Sequence, residues 1–278
     1  MNLQAFLPLV PYPDPILPRV VMNAMIVAAR LDMEAHALAI NVQIPPLSNA
    51  LSRFLLTTPE LIRLGNSRSR KHGEDILRIA ADQAKLAGVK FVADRLDTPL
   101  GQVGALAAER ARYFDWALIG WEAASQGFHK LAEDIIFGSG RPAILLPGSV
   151  KPAPFDHVAI AWDGSRVAAR AVADAAPLLR RASRISVITV TDEKELREEN
   201  PGVRFAGGLQ GRGLPAESLA ALNDGGDIAV TLQENAIQSG AGLLVMGGYG
   251  HTRVRDFVLG GATEGVLRDL RLPILIAH

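Results

Sequence analysis

The sequence has no cysteine in its 278 residues. Disulfide bonds, thiolate metal sites and cysteine nucleophiles are therefore excluded. Aromatic residues are scarce at 5%, and no apolar run approaches the roughly 20 residues of a membrane-spanning helix. Basic and acidic residues balance at 29 each, so no overall field attracts nucleic acid or an anionic membrane. We expect neither kind of partner.

What is present indicates a folded cytoplasmic protein. Hydrophobic residues make up 49% of the chain and charged residues 21%, which is enough apolar material for a sizeable core. The first six residues have neither a basic region nor a long apolar region, so they do not resemble a signal peptide. A length of 278 residues suits two domains of ordinary size.

Apolar runs and helical repeats alternate twice along the chain. Five strand-like runs separated by helical stretches fill the first half, and the same order restarts at His157 after the proline-rich stretch 148–155. Strands that alternate with helices indicate a parallel sheet covered on both faces. We predict two tandem α/β domains, 1–149 and 150–278, each with a doubly wound parallel five-stranded sheet.

The boundaries of several elements are predicted less directly. Thr98 with Pro99 predicts the start of a helix that reaches about Tyr113, and the periodicity of Arg166–Arg181 predicts a single helix. The stretch 47–63 is ambiguous, and 191–213 is too polar and glycine-containing to place its helix.

One stretch near the end of the chain has the pattern of strand, glycine loop and helix. The apolar run Leu243–Met246 stops at Gly247, which is how a buried parallel strand ends in a loop. Gly250 and Gly260 follow, and Thr263 is a hydroxyl residue of the kind that opens a helix. Backbone N–H groups at a helix start, beside glycines that allow close approach, can hold a phosphate.

At this stretch the sequence resembles the universal stress protein family. Nucleotide-binding members have a glycine, two residues, a glycine, nine residues, and a glycine followed by serine or threonine; Gly247, Gly250 and Gly260 fit those spacings. The opening strand of the second half also ends, as in the family, on an acidic residue, Asp163. Gly261 departs from the family, since it stands where a hydroxyl residue is usual. The whole chain resembles the tandem members, in which two domains pack as an intramolecular pseudo-dimer.

The resemblance implies a fold of the adenine nucleotide α-hydrolase-like, or Rossmann-like, type that binds ATP or a related adenine nucleotide with Mg²⁺. Asp163 would lie near the ribose, the Val190 backbone near the adenine, and the glycine stretch near the ribose and phosphates. The implied site residues are Ala161, Asp163, Val190, Gly247, Gly250, Gly260, Gly261, Ala262 and Thr263. The hydroxyl lost at Gly261 removes a hydrogen bond to a charged group, worth about 1.5–3 kcal/mol.

The first half departs further from the family. Asp14 could correspond to Asp163, but prolines surround it. The strand that ends near Gly120 leads into no glycine loop, and His129 and Lys130 stand at the matching glycine positions. We therefore expect this half not to bind ATP in the family manner.

Each of these features also has a purely structural interpretation. The glycines could serve only to turn the chain, Asp163 could cap the helix that follows it, and Thr263 could be an ordinary N-cap. Other motifs fail outright. The match of Gly211–Ala216 to a dinucleotide fingerprint follows no predicted strand, and the sequence has no P-loop, no Gly-x-Ser-x-Gly elbow and no metal-spaced histidine pair.

Three functions are compatible with the sequence. The first is a stress-response binding protein with an adenine nucleotide in its second half. It would be no enzyme, with at most slow ATP hydrolysis, because no dedicated lysine or base for phosphoryl transfer is present. The second is a nucleotide-free scaffold whose pseudo-dimer binds another protein or forms a homodimer. The third is an enzyme of the wider fold group that forms an adenylate, which needs a substrate pocket that the sequence does not reveal.

Overall fold

A computed structural model describes residues 3–13, 15–45, 58–122, 125–192, 200–248 and 261–278. By its internal contacts the chain divides into two compact units, Met1–Leu118 and Ile119–His278. The predicted domain boundary at residue 149 stays a prediction, because this division follows contacts and falls inside a strand.

The first unit alternates strands and helices along the chain. Its elements are β1 (Leu3–Leu9), α1 (Pro18–Arg30), β2 (Met33–Gln43), α2 (Thr58–Ala87), β3 (Phe91–Pro99), α3 (Val103–Ala111) and the start of β4 (Trp116–Trp121). The strands lie in the order β3-β2-β1-β4 and are all parallel. Helix α1 begins with Pro18, whose fixed φ suits a first helical turn, and it buries an apolar face that includes Val21, Ala24 and Ala28.

The second unit continues the alternation after the end of β4. Its elements are α4 (Gln126–Gly138), β5 (Ala143–Pro147), β6 (His157–Ala161), α5 (Arg166–Asp174), α6 (Ala176–Leu179), β7 (Arg184–Val190), α7 (Pro201–Gln210), β8 (Ala216–Ala221), α8 (Ile228–Gln238), β9 (Leu243–Gly247), α9 (Gly261–Arg268) and β10 (Ile274–Ala277). Its strands lie in the order β4-β5-β10-β9-β6-β7-β8. The buried strands β5, β9 and β10 are nearly continuous aliphatic runs, as expected where a sheet is covered on both faces.

The strand order repeats, which confirms the predicted fold class. The strands of the first half follow β3-β2-β1-β4-β5, and those of the second half follow the equivalent order β8-β7-β6-β9-β10. Within the second unit the closing strands β5 and β10 pair antiparallel, with Ile144 opposite Leu275.

Two sequence-based boundaries were wrong. The stretch Arg166–Arg181 is two helices, α5 and α6, because Pro177 stands in the first turn of α6 and has no N–H to continue an α-helical ladder. Thr98 does not open a helix. It is buried in β3, where it pairs with Val42. Strand β3 extends this far because β2 is eleven residues long and provides pairing partners up to Gln43.

Candidate functional site

The carboxyl ends of β6 and β9 form the candidate site. The two strands are adjacent and parallel, with Ile160 opposite Val245, so Ala161 and Gly247 end them at the same edge of the sheet. From β6 the chain moves outward to β7, and from β9 it moves the other way to β10. Such a reversal opens a crevice between the strand ends, and ligands of doubly wound sheets bind there.

Asp163 lies just past the end of β6 in a tight turn. Its Oδ1 accepts a hydrogen bond from the Ser165 N–H at 2.9 Å, and Gly164 between them has a φ of +74°, which favours glycine. The N-cap of α5 is Ser165, whose hydroxyl accepts from the Ala168 N–H at 3.2 Å. The interpretation of Asp163 as that cap is therefore wrong. Asp163 is exposed, and the turn holds its carboxylate against the Ser165 N–H just beyond the end of β6.

Gly247 has a packing role of its own. A Cβ at this position would lie 2.5 Å from the Val167 carbonyl carbon and 2.6 Å from the Ala168 nitrogen. Both are backbone atoms in the first turn of α5, so only glycine lets the end of β9 approach that helix so closely. A contact of Gly247 with a nucleotide stays a prediction, because the packing alone explains the residue.

Helix α9 starts beside the glycine stretch and places three predicted site residues in its first turn. They are Gly261, Ala262 and Thr263. Thr263 is the third residue of the helix and only 5% exposed, so it is not the N-cap. The first N–H groups of a helix have no partner within it, and they give this end its positive partial charge. Gly265 in the next turn lets α9 pack against Ala229 of α8, since a Cβ would lie 2.6 Å from that methyl.

Val190 ends β7, two residues beyond the position opposite Ala161. Beside it the sequence analysis missed an aromatic pair, Trp162 and Phe205, whose rings stack at 3.6 Å between centroids and 7° between planes. The Trp162 carbonyl accepts a hydrogen bond from the Thr189 hydroxyl at 3.0 Å. Trp162 therefore packs on α7.

At the end of β4 in the first half, aromatic rings stand where the second half has glycine. The ring of Trp121 stacks on His129 with centroids 4.3 Å apart, and its Nε1–H donates to the Leu267 carbonyl at 3.1 Å. Lys130 forms an ion pair with Asp134 one turn further along α4. His129 and Lys130 match Gly260 and Gly261 in the sequence, and the absence of a nucleotide site in this half stays a prediction.

The opposite, amino-end edge of the second unit's sheet holds a polar cluster. His157 Nε2 lies 2.9 Å from the Ser186 hydroxyl, which donates to Glu217 Oε1 at 3.1 Å. Arg184 also donates to Glu217 and lowers the pKa of that carboxyl. Burial is the main cause that lowers the pKa of His157, and the Arg184 charge adds to it. This cluster links the starts of β6, β7 and β8, at the end of the sheet opposite the crevice.

Asp14, Gly250 and Gly260 lie outside the described residues. Within the described ranges no group of three His, Asp or Glu side chains could hold a metal ion. The part of the chain in view also has no helix that is both long and apolar enough to cross a membrane.

Solved structures share this arrangement over nearly the full chain. A universal stress protein from Archaeoglobus fulgidus DSM 4304 superposes with a TM-score of 0.68 at 16% identity, covering 99% of this chain and 96% of that one. A putative universal stress protein from Pseudomonas aeruginosa UCBPP-PA14 gives 0.56 at 16% identity, covering 99% and 93%. The chain has the universal stress protein fold. A functionally unknown protein from Pseudomonas aeruginosa PAO1 gives a TM-score of 0.53 at 14% identity, covering 99% and 92%.

The likeness to universal stress proteins is one of fold, since the identities are too low to carry function. No family model matches the sequence, and no curated protein matches it. Because the shared fold spans nearly the whole of both chains, it includes both repeats.

Proposed function

We propose that the protein binds ATP or a related adenine nucleotide, with Mg²⁺, in the crevice between the ends of β6 and β9. The observation that supports this most is the exposed carboxylate of Asp163. It is oriented by the Ser165 N–H at the topological switch point of the second half's sheet. Carboxylates accept hydrogen bonds from ribose hydroxyls in dinucleotide-binding doubly wound sheets, which is the role proposed here for Asp163.

The remaining residues would hold the nucleotide from three sides. Ala161 would lie by the nucleoside and the Val190 backbone by the adenine. The N–H groups of Gly261 and Ala262, at the start of α9, would take the phosphates, because a helix N-terminus favours negative charge. Gly247 would border the site while packing on α5.

The proposal extends to a role in stress response as a binding protein and not as an enzyme. The stress-response role is proposed because the proteins with this fold are named universal stress proteins. We propose a binding protein and not an enzyme because the stretch from Leu243 to Thr263 has no lysine. Phosphoryl transfer needs neutralised charge and a positioned nucleophile. A phosphate-release assay with ATP should show at most slow turnover, and sustained turnovers each second would overturn this part. A homodimer, a protein partner and a cytoplasmic location stay predictions.

Calorimetric titration with ATP and Mg²⁺ tests the site. We expect one nucleotide per chain, and about tenfold or greater weakening in Asp163→Ala, the loss expected for a hydrogen bond to a charged group. Asp156→Ala is the matched control, because Asp156 precedes the same strand at its opposite end and is also exposed. Absence of heat at millimolar nucleotide would contradict the proposal and favour a nucleotide-free scaffold. Equal weakening in both variants would contradict the assigned site.

A further inference from the structure

A cavity of about 390 Å³ lies along the first half of α2, in the first unit. Its lining side chains recur every three or four residues, so they share one face of the helix. They are Arg63, Asn66, Ser67, Arg70, Lys71 and Glu74. No apolar side chain is among them, so this face does not belong to the hydrophobic core.

Two of the charged lining residues already have ionic partners. Arg70 pairs with Asp97 of β3 at 2.7 Å, and Glu74 pairs with Arg95 of the same strand at 2.7 Å. The Asn41 amide donates to Asp97 and, with Arg70, lowers the pKa of that carboxyl, so the pair stays ionised. The charges of these four ionic groups cancel.

Two positive charges are left over. Neither Arg63 nor Lys71 forms an ion pair with another described residue, and both are exposed. The cavity is therefore cationic although the whole chain carries no net charge.

Hydrogen bonds fix this helix face at the carboxyl end of β2. The Asn66 side chain accepts from the Ile44 N–H at 2.7 Å and donates to the Ile44 carbonyl at 3.2 Å. The Ser69 hydroxyl accepts from the Val42 N–H at 2.9 Å, in the buried interior. The cationic groups are thus held at the end of the sheet where doubly wound folds bind ligands.

We propose that this cavity is an anion site that binds a small phosphorylated molecule. A guanidinium fork and an ammonium group suit phosphate oxygens, and the Ser67 hydroxyl adds a donor between them. The volume is that of a small-molecule pocket, and the lining residues span only about three turns of one helix, which is shorter than the extended cationic stripe that a nucleic acid requires. The site lies in the first half and does not depend on the nucleotide crevice of the second half.

Calorimetric titration with inorganic pyrophosphate tests the proposal. The double variant Arg63→Gln/Lys71→Gln should lose one binding site, or weaken it by about tenfold or more, since each substitution removes a charge-assisted hydrogen bond. Arg78→Gln is the matched control. Arg78 is exposed on the same helix, pairs with Asp75 at 3.1 Å and does not line the cavity.

The result that supports the site is loss of one pyrophosphate site in the double variant, with the control unchanged and with ATP binding to the second half intact. An unchanged isotherm in the double variant would overturn the proposal. So would equal weakening in the control, which would indicate general surface charge. Tight binding of a 20-nucleotide single strand that depends on Arg78 as much as on Arg63 would also overturn it, in favour of an extended nucleic-acid surface.

Discussion

Gly247→Ala should destabilise the protein even without any ligand. The added methyl would lie 2.5 Å from the Val167 carbonyl carbon and 2.6 Å from the Ala168 nitrogen. These separations are roughly 1 Å shorter than the ~3.5 Å of a favourable carbon contact. The atoms that would have to move are backbone atoms of the first turn of α5, which the Ser165 cap holds in place. Overpacking of this kind costs about 1–3 kcal/mol.

The measurement is the free energy of unfolding from urea titration. Part of the overpacking is offset, because replacing glycine restricts the unfolded chain by about 0.4–1 kcal/mol. We therefore expect a net loss of about 1–2 kcal/mol. Gly207→Ala is the control, since a Cβ there meets nothing within 4 Å and α7 should gain about 0.5–1 kcal/mol. If Gly247→Ala matched the unsubstituted protein while the control gained stability, the packing role of Gly247 would be refuted.

Three further substitutions or conditions give separate tests. Lowering the pH from about 7 to about 5.5 should reduce the free energy of unfolding, because burial holds the pKa of His157 below 6.5 and the unfolded chain takes up the proton first. In urea titrations over the same pH interval, the free energy of unfolding of His157→Gln should fall by less than that of the unsubstituted protein. Ser165→Ala removes the acceptor of the Ala168 N–H and should cost about 1 kcal/mol, and an unchanged urea midpoint would contradict the cap. Gly202→Ala would place a methyl 2.5 Å from the Thr189 hydroxyl and should cost about 1–2 kcal/mol; a double variant with Thr189→Ala should recover part of that loss, and no recovery would contradict the assigned clash.

The sequence predicted those parts of the fold that local pattern determines. The alternation of apolar runs and helical repeats predicted the doubly wound order, which the pairing of β6 with β9 confirms. Prediction from the sequence failed where contacts with residues distant in the chain determine the local structure. Thr98 has a helix-start signal beside a proline, yet pairing with Val42 keeps it in β3. Helix α7 could not be placed because Gly207 and Gly208 lower its helix propensity, while packing on β7 and β8 stabilises it.

The same division applies to the candidate site. The resemblance implied that Asp163 and Gly247 would border one site, and both lie at one edge of the sheet because the carboxyl ends of the adjacent parallel strands β6 and β9 meet there. The sequence could not assign the cap to Ser165 over Asp163, since both are good N-cap residues. It also could not pair Trp162 with Phe205, because that contact depends on how α7 packs.

A crystal structure of the protein grown with ATP and Mg²⁺ tests the central claim most directly. The account predicts one nucleotide per chain, with its ribose near Asp163, its adenine near Val190 and its phosphates at the start of α9. A nucleotide bound elsewhere, or an empty crevice at millimolar ATP, would contradict it.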